Sequence, residues 1–253
     1  MTGVVLERHE LLWVLEQCGA GWPYPLRPVH WSAETDEEVR RHRHATEQAL
    51  RARGLLAPAP ARMLLDAGQA AAGWVLAVDL VRRDPADPRA AVALTDGRTA
   101  AVLDSLEHAA APVRVTPCAP DGLAEAVFAL VPAVPPGAGP AVPVPDGTVP
   151  ADLPATRRAA RARDVAEDLL ATVTTVTQVG VADRRDGTPR RVAAPVCWLD
   201  GPRGRHVLRP PAPPTQVPRP ALLVPATGGQ LLADVRTVLA DAVVPRPPGR
   251  STA

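Results

Sequence analysis

Apolar and polar positions alternate along this chain in a pattern that occurs twice. An apolar strand at residues 75–81 is followed by a polar turn and a second strand at 90–94. Asp96-Gly97-Arg98 forms a turn, 100–103 a third strand, and Leu123, Val127, Leu130 and Val131 the apolar stripe of a helix. The same order returns at 177–243: strands at 179–182 and 191–199, the turn Gly204-Arg205, then Val207-Leu208. It closes on a helix bearing Leu231, Leu232, Val235, Val238 and Leu239. A supersecondary unit repeated at this scale implies that neighbouring copies share a core. Each copy has one apolar face too small to be stable alone. Burying the two together predicts a single pseudo-symmetric α+β body with a shared sheet. Asp96-Gly97 and Asp186-Gly187 are tight-turn pairs that join antiparallel strands.

The flanking segments divide the chain further. Leu6, Leu11, Val14 and Leu15 predict a helix over 6–17 ending near Gly19, and Trp22-Pro23-Tyr24-Pro25 a stiff extended link. Thr35 and Glu38 have capping-box spacing. The helix they start runs to Arg53, with Val39, Ala45, Ala49 and Leu50 inward, and stops at Gly54. Leu64 and Leu65 suggest one short helical turn. Residues 132–150 read as an extended proline-rich linker, and 154–173 as a helix burying Leu169, Leu170 and Val173. Residues 210–220 form a proline-rich loop. Residues 1–244 are expected to be one domain of two quasi-repeated halves, about 5–131 and 150–244, with 245–253 a disordered tail.

Composition narrows the function. At 253 residues and 46% hydrophobic content the chain can bury a sizeable core, but aromatics are only 3% and isoleucine is absent. All 28 basic residues are Arg, and with 31 prolines this reads as a GC-rich, actinobacterial genome before it reads as function. A net charge of +1 gives no global pull toward nucleic acid or an anionic membrane. Three distant cysteines, Cys18, Cys118 and Cys197, argue for a reducing compartment. Glu7, Arg8, His9 and Glu10 stand where a signal peptide needs an apolar stretch, and prolines break the longest uncharged run. A soluble, cytoplasmic protein is expected.

No catalytic pattern emerges. His42 and His44 project about 200° apart on a charged helix and cannot share a metal. The cysteines lack zinc spacing, and Cys118 has only His108 near it in sequence. Gly137 and Gly139 lack the third glycine and the following helix of a dinucleotide site. Trp198 is assigned to the core. The arginines of 157–163 are followed by Asp164, Glu167 and Asp168, the arrangement of a solvated helix face. No metal, cofactor or catalytic residue is expected. A binding protein fits best, and a non-enzymatic adaptor or regulatory module is the alternative.

The run Ala-Leu-Arg-Ala-Arg-Gly-Leu-Leu at 49–56, after a first helix ending near Gly19, resembles the start of the ESX (type VII) secretion-associated EspG family. So does the second half, through Gln178-Val179-Gly180-Val181-Ala182, Asp186-Gly187, Trp198-Leu199-Asp200 and Gly204-Arg205-His206. The likeness spans residues 5–243, and the proline-rich loop at 210–220 departs from it. It implies two quasi-symmetric halves around a central, mostly antiparallel sheet flanked by helices. It further implies a cytoplasmic chaperone that binds PE–PPE heterodimers at the tip of a helical hairpin. On that resemblance the client contacts fall on the loop between the first two strands, through Arg82, Arg83, Asp84, Asp87 and Arg89. The C-terminal helix adds Gln230 and Asp234.

Overall fold

The structure, a computed structural model, describes residues 3–105, 111–144, 157–210 and 221–243, with the backbone alone for 157–163. The first half runs β1 (Val4–Leu6), α1 (Arg8–Gln17), α2 (Asp36–Ala52) and α3 (Pro58–Ala72). It continues with β2 (Leu76–Arg83), β3 (Arg89–Thr95), β4 (Ala100–Ser105), β5 (Val113–Pro117) and α4 (Leu123–Phe128). After β6 (Val142–Pro143) come α5 (Arg157–Ala171), β7 (Thr175–Asp183), β8 (Arg190–Arg191) and β9 (Val196–Asp200). The second half ends with β10 (His206–Arg209), β11 (Leu222–Pro225) and α6 (Gly228–Val243).

The strands form one antiparallel sheet in the order β1-β5-β4-β3-β2-β7-β9-β10-β11-β6, with β8 pairing β7 beside it. β2 and β7 meet at the centre, from Leu76↔Asp183 to Arg83↔Val176. Outward from that pair the two sides read alike: hairpin-linked strands, then the helix that follows them in sequence. Each side has a fourth strand that the hydrophobic pattern does not reveal, β5 on one and β11 on the other. Both are short, and β11 follows directly on the proline-rich stretch.

Strand alternation divides the core between the two faces of the sheet. Val78, Leu80, Val102, Val179, Val181 and Val207 face α4 and α6, against Leu123, Val127, Leu231 and Val235. Trp198 belongs to this cluster, fully buried and stacked on Phe128 at 5.8 Å between centroids. On the opposite face, Ala77, Val92, Leu94, Leu103 and Val115 pack under Leu11, Leu15, Leu64 and Ala67 of α1 and α3. The same face carries a third cluster, in which Ala166 and Leu169 of α5 cover Leu199, Leu223 and Val142.

Several expectations are corrected. Leu6 lies in β1, paired with Val113, and the first helix starts at Arg8 because Glu7 and Glu10 cap it reciprocally. The Thr35–Glu38 box forms as expected: Glu38 N donates to Thr35 Oγ1 at 3.2 Å and Thr35 N to Glu38 Oε2 at 3.2 Å. Only Leu50 of α2 is buried; Val39 is half-buried, and Ala45 and Ala49 are exposed. α2 is held instead by polar and ring contacts: Arg43 Nε donates to Glu16 Oε2 at 2.9 Å, and His42 stacks on Trp31, whose Nε1 donates to Glu16 Oε1 at 2.9 Å. Leu64 belongs to a full 15-residue helix. The strand expected at 191–199 is interrupted before β9, where Pro195 has no N–H for the ladder. Leu170 is exposed while Leu169 is buried.

The expected linker is more ordered over 132–144 than its composition suggests. Arg205 N donates to Pro135 O at 2.8 Å and Gly137 N to Arg205 O at 2.9 Å, and β6 then pairs with β11. Residues 145–156, 211–220 and 244–253, and with them most of the second proline-rich loop and the tail, lie outside the described residues, as does His108.

Candidate partner-binding surface

Antiparallel pairing of β2 and β3 holds to Arg82↔Arg89, so residues 83–88 bridge the two strands. Pro85 and Pro88 restrict this bridge, and Asp84 organises it. Its Oδ1 accepts from Ala86 N at 2.9 Å and Asp87 N at 3.3 Å, a carboxylate turn of the kind Asp favours. Its Oδ2 accepts from Thr175 Oγ1 at 2.8 Å and from Arg82 Nη2 at 2.6 Å. Arg82 also pairs with Asp87. The Thr175 hydroxyl, the Ala86 amide and the nearby Arg82 guanidinium all favour charged Asp84, holding its carboxyl below the usual range.

Arg82, Asp84 and Asp87 are therefore brought together, and Arg82 is turned inward with its side chain only 11% exposed. Arg89 goes elsewhere. Its Nη1 donates to Leu130 O at 3.4 Å and its Nε lies 3.6 Å from Asp104 Oδ1. Asp104 is buried in β4 without a hydrogen-bond partner, and burial pushes its pKa up against the pull of Arg89. Of the three loop arginines, Arg83 alone is exposed and has no hydrogen bond or ion pair among the described residues.

The two residues expected on the C-terminal helix hold α6 in place. Gln230 Oε1 accepts from Thr227 N at 2.7 Å while Gln230 N donates to Thr227 Oγ1 at 3.2 Å, a reciprocal cap. Asp234 pairs with Arg209 of β10 at 2.6 Å. Neither bonds to the 83–88 loop. Topology nevertheless sets Gln230 at the loop's end of the sheet. Arg83 pairs with Val176 and Thr175 with Asp200, while Ala226 N donates to Arg205 O just after β9. The first turn of α6 thus stands at the same edge as the loop.

Two residues here were not singled out in the sequence. Thr175 anchors Asp84 from 91 positions away. Arg27 comes from the link after α1 to line a crevice of about 180 Å³ with Arg82 and Arg89. No local motif marks either, because each acts through a long-range pairing. Elsewhere the cysteines are half-buried and free, and burial raises the Cys118 pKa to about 11, which disfavours a nucleophile. His42 stacks on Trp31 at 6.5 Å between centroids, and His44 is exposed. Among the described residues no group of three or more His, Cys, Asp or Glu is placed to hold a metal, and no helix is long and apolar enough to cross a membrane.

The family model of the EspG family matches residues 7–237. The solved structure of the Mycobacterium tuberculosis type VII secretion system chaperone EspG5, in complex with a PE25–PPE41 dimer, has the same fold. The similarity gives a TM-score of 0.61 over 95% of this chain and 96% of that one, at 15% identity. No curated protein matches the sequence.

Proposed function

This chain belongs to the EspG family, and we propose that it is a cytoplasmic chaperone-like binding protein of type VII secretion. Its client is a helical-hairpin protein of the PE–PPE kind, kept soluble and export-competent. The family match over residues 7–237 carries this reading, and the shared fold with EspG5 supports it. The physical need is plain: an exported helical hairpin exposes an apolar tip, and covering it prevents association before export. The role is binding alone, without catalysis, metal or cofactor.

On this reading the client meets the end of the sheet that carries the 83–88 loop and the first turn of α6. The Asp84–Arg82–Thr175 cluster presets the loop, so little conformational freedom remains to be lost on binding. Arg83 is the contact residue, its forked donors free to meet carboxylates or helix-end carbonyls of the hairpin. Arg82 and Arg89 act through the loop's shape. The same reading takes residues 1–244 as one domain of two quasi-repeated halves, which the strand order on either side of β2–β7 supports.

The test is co-expression with the PE–PPE heterodimers of the same organism, followed by size-exclusion chromatography with light scattering. A stable complex that raises the client's soluble fraction is the expected result. A client that is insoluble alone and stays so, with no complex at tens of micromolar, would refute the proposal.

A further inference from the structure

We propose that a groove over the centre of the sheet docks a proline-rich segment of a partner protein, flanked by an acidic residue. Ala77 and Asp79 of β2 and Ala182 of β7 floor the groove, on the face that α1 and α3 cover, and it encloses about 480 Å³. Trp22 and Tyr24 from the link after α1 and Trp74 ahead of β2 wall it. The whole sequence has five Trp, one Tyr and one Phe, so three of its seven aromatic rings meet here. Tyr24 is 65% exposed, and Trp22 and Trp74 are half-buried. Rings spent at an open groove in so aromatic-poor a chain mark a contact site and not a core.

Cations hold these rings. The Arg184 guanidinium lies 5.0 Å from the Trp74 centroid and that of Arg191 5.3 Å from Tyr24. Arg191 reaches across β7 to Asp79, its Nη2 donating to Oδ1 at 3.0 Å. Gly180, paired with Asp79, makes that crossing possible, because any side chain there would collide with the guanidinium. The aromatic faces are therefore set before a ligand arrives, and little order remains to be imposed on binding.

The chemistry of the walls selects the occupant. Ala71, Ala77 and Ala182 put only methyl groups at the base, so polar recognition has to come from above. Trp74 Nε1 is a donor without a hydrogen bond among the described residues. A polyproline helix has no internal hydrogen bonds, so its carbonyls are free to accept from such a donor. Being already extended, it also docks on aromatic side chains at little entropic cost. Charge narrows the choice further. Arg191 is paired with Asp79, and Arg190 with Asp183 and Asp186. Arg184 donates from Nη2 to Ala72 O at 2.7 Å but has no carboxylate among the described residues. One uncompensated guanidinium in an aromatic groove calls for one carboxylate on the peptide. The 83–88 loop lies beyond the other end of β2, so this is a second surface and does not rest on the client reading.

The experiment titrates the full chain with a capped polyproline peptide of about ten residues carrying one Glu near its C-terminus, and follows the Trp indole NMR resonances. Trp22 and Trp74 should shift with a Kd below about 1 mM, and the fully buried Trp198 should not. Tyr24→Ala, at an exposed position, should weaken the peptide about tenfold without altering the circular dichroism of the fold. Replacing the peptide's Glu by Lys should weaken it by a similar factor, and Arg184→Gln should erase the difference between the two peptides. The proposal is overturned by no shift up to about 1 mM peptide, by shifts confined to other residues, or by indifference to Tyr24→Ala. Equal binding of the Glu and Lys peptides, or a preference that survives Arg184→Gln, overturns it as well. So does a movement of Trp22 and Trp74 with protein concentration alone, which would assign the groove to a second copy of this chain.

Discussion

Arg205→Met should remove a large part of the stability of this fold while leaving its surface untouched. Arg205 is 1% exposed and grips Asp200 with two parallel bonds, Nε to Oδ1 at 2.7 Å and Nη2 to Oδ2 at 2.8 Å. Its Nη2 also donates to Pro132 O at 3.1 Å, and the guanidinium lies 5.5 Å from the Trp198 centroid. Methionine fills similar volume but strands a buried carboxylate, a loss of about 3–5 kcal/mol. Against a total stability on the order of 5–15 kcal/mol this is between about a fifth and the whole of it. Thermal unfolding should fall by about 6–20 °C at roughly 2–4 °C per kcal/mol for a chain of this size. Urea unfolding by circular dichroism measures it directly, and a double-mutant cycle isolates its origin. Adding Asp200→Leu removes the stranded charge, so the double variant should regain most of the loss. A drop under about 1 kcal/mol, or a double variant less stable than the single, would show that the pair is not what holds this corner.

Three further outcomes follow from other sites. Asp104→Asn should stabilise the protein by up to about 1 kcal/mol at pH 7, since burial of a carboxyl without hydrogen bonds outweighs the pull of Arg89, which is partly exposed and keeps its bond to Leu130 O. Its folded pKa lies above the unfolded value, so the wild type regains stability as pH falls through it; the variant's advantage should therefore shrink on acidification, as paired melts at pH 7 and pH 4 would reveal. With a pKa of about 11, only roughly one Cys118 thiol in a thousand is ionised at pH 8, and maleimide labelling there should be far slower folded than in denaturant. Arg83→Ala should weaken client binding by about 1–2 kcal/mol in calorimetry without moving the melting temperature, whereas Arg82→Ala should lower both affinity and stability by unpairing Asp84.

The strand–strand–strand–helix units were legible because their residues are read two by two against one sheet, and Val78, Leu80, Val179 and Val181 keep that rhythm without interruption. β1, β5, β6 and β11 escaped because two to five residues carry too little pattern to separate a strand from a loop; their identity comes from the partner strand. α2 misled for the opposite reason. Its propensity and capping are strong, yet a helix fastened by Arg43, Trp31 and one buried leucine has no apolar stripe to read. At the loop, the Asp and Pro positions showed that a shaped turn was present. Which arginine faces solvent depends on Thr175 and Asp104, both distant in sequence, so Arg82, Arg83 and Arg89 were equivalent until the fold separated them.

The central pairing of β2 with β7 also dictates how the chain must emerge from the ribosome. β2 ends at Arg83 and β7 begins at Thr175. At about 5–20 residues per second, the inner edge of the first half waits roughly 5–20 s for its partner. During that interval Val78 and Leu80 lie on an uncovered strand whose backbone donors and acceptors point at solvent. The alike second half of another nascent chain presents a competing edge for the same ladder. Swapped dimers joined through β2 and β7 are thus the characteristic misassembly of this architecture, and crowded polysomes the setting where it arises.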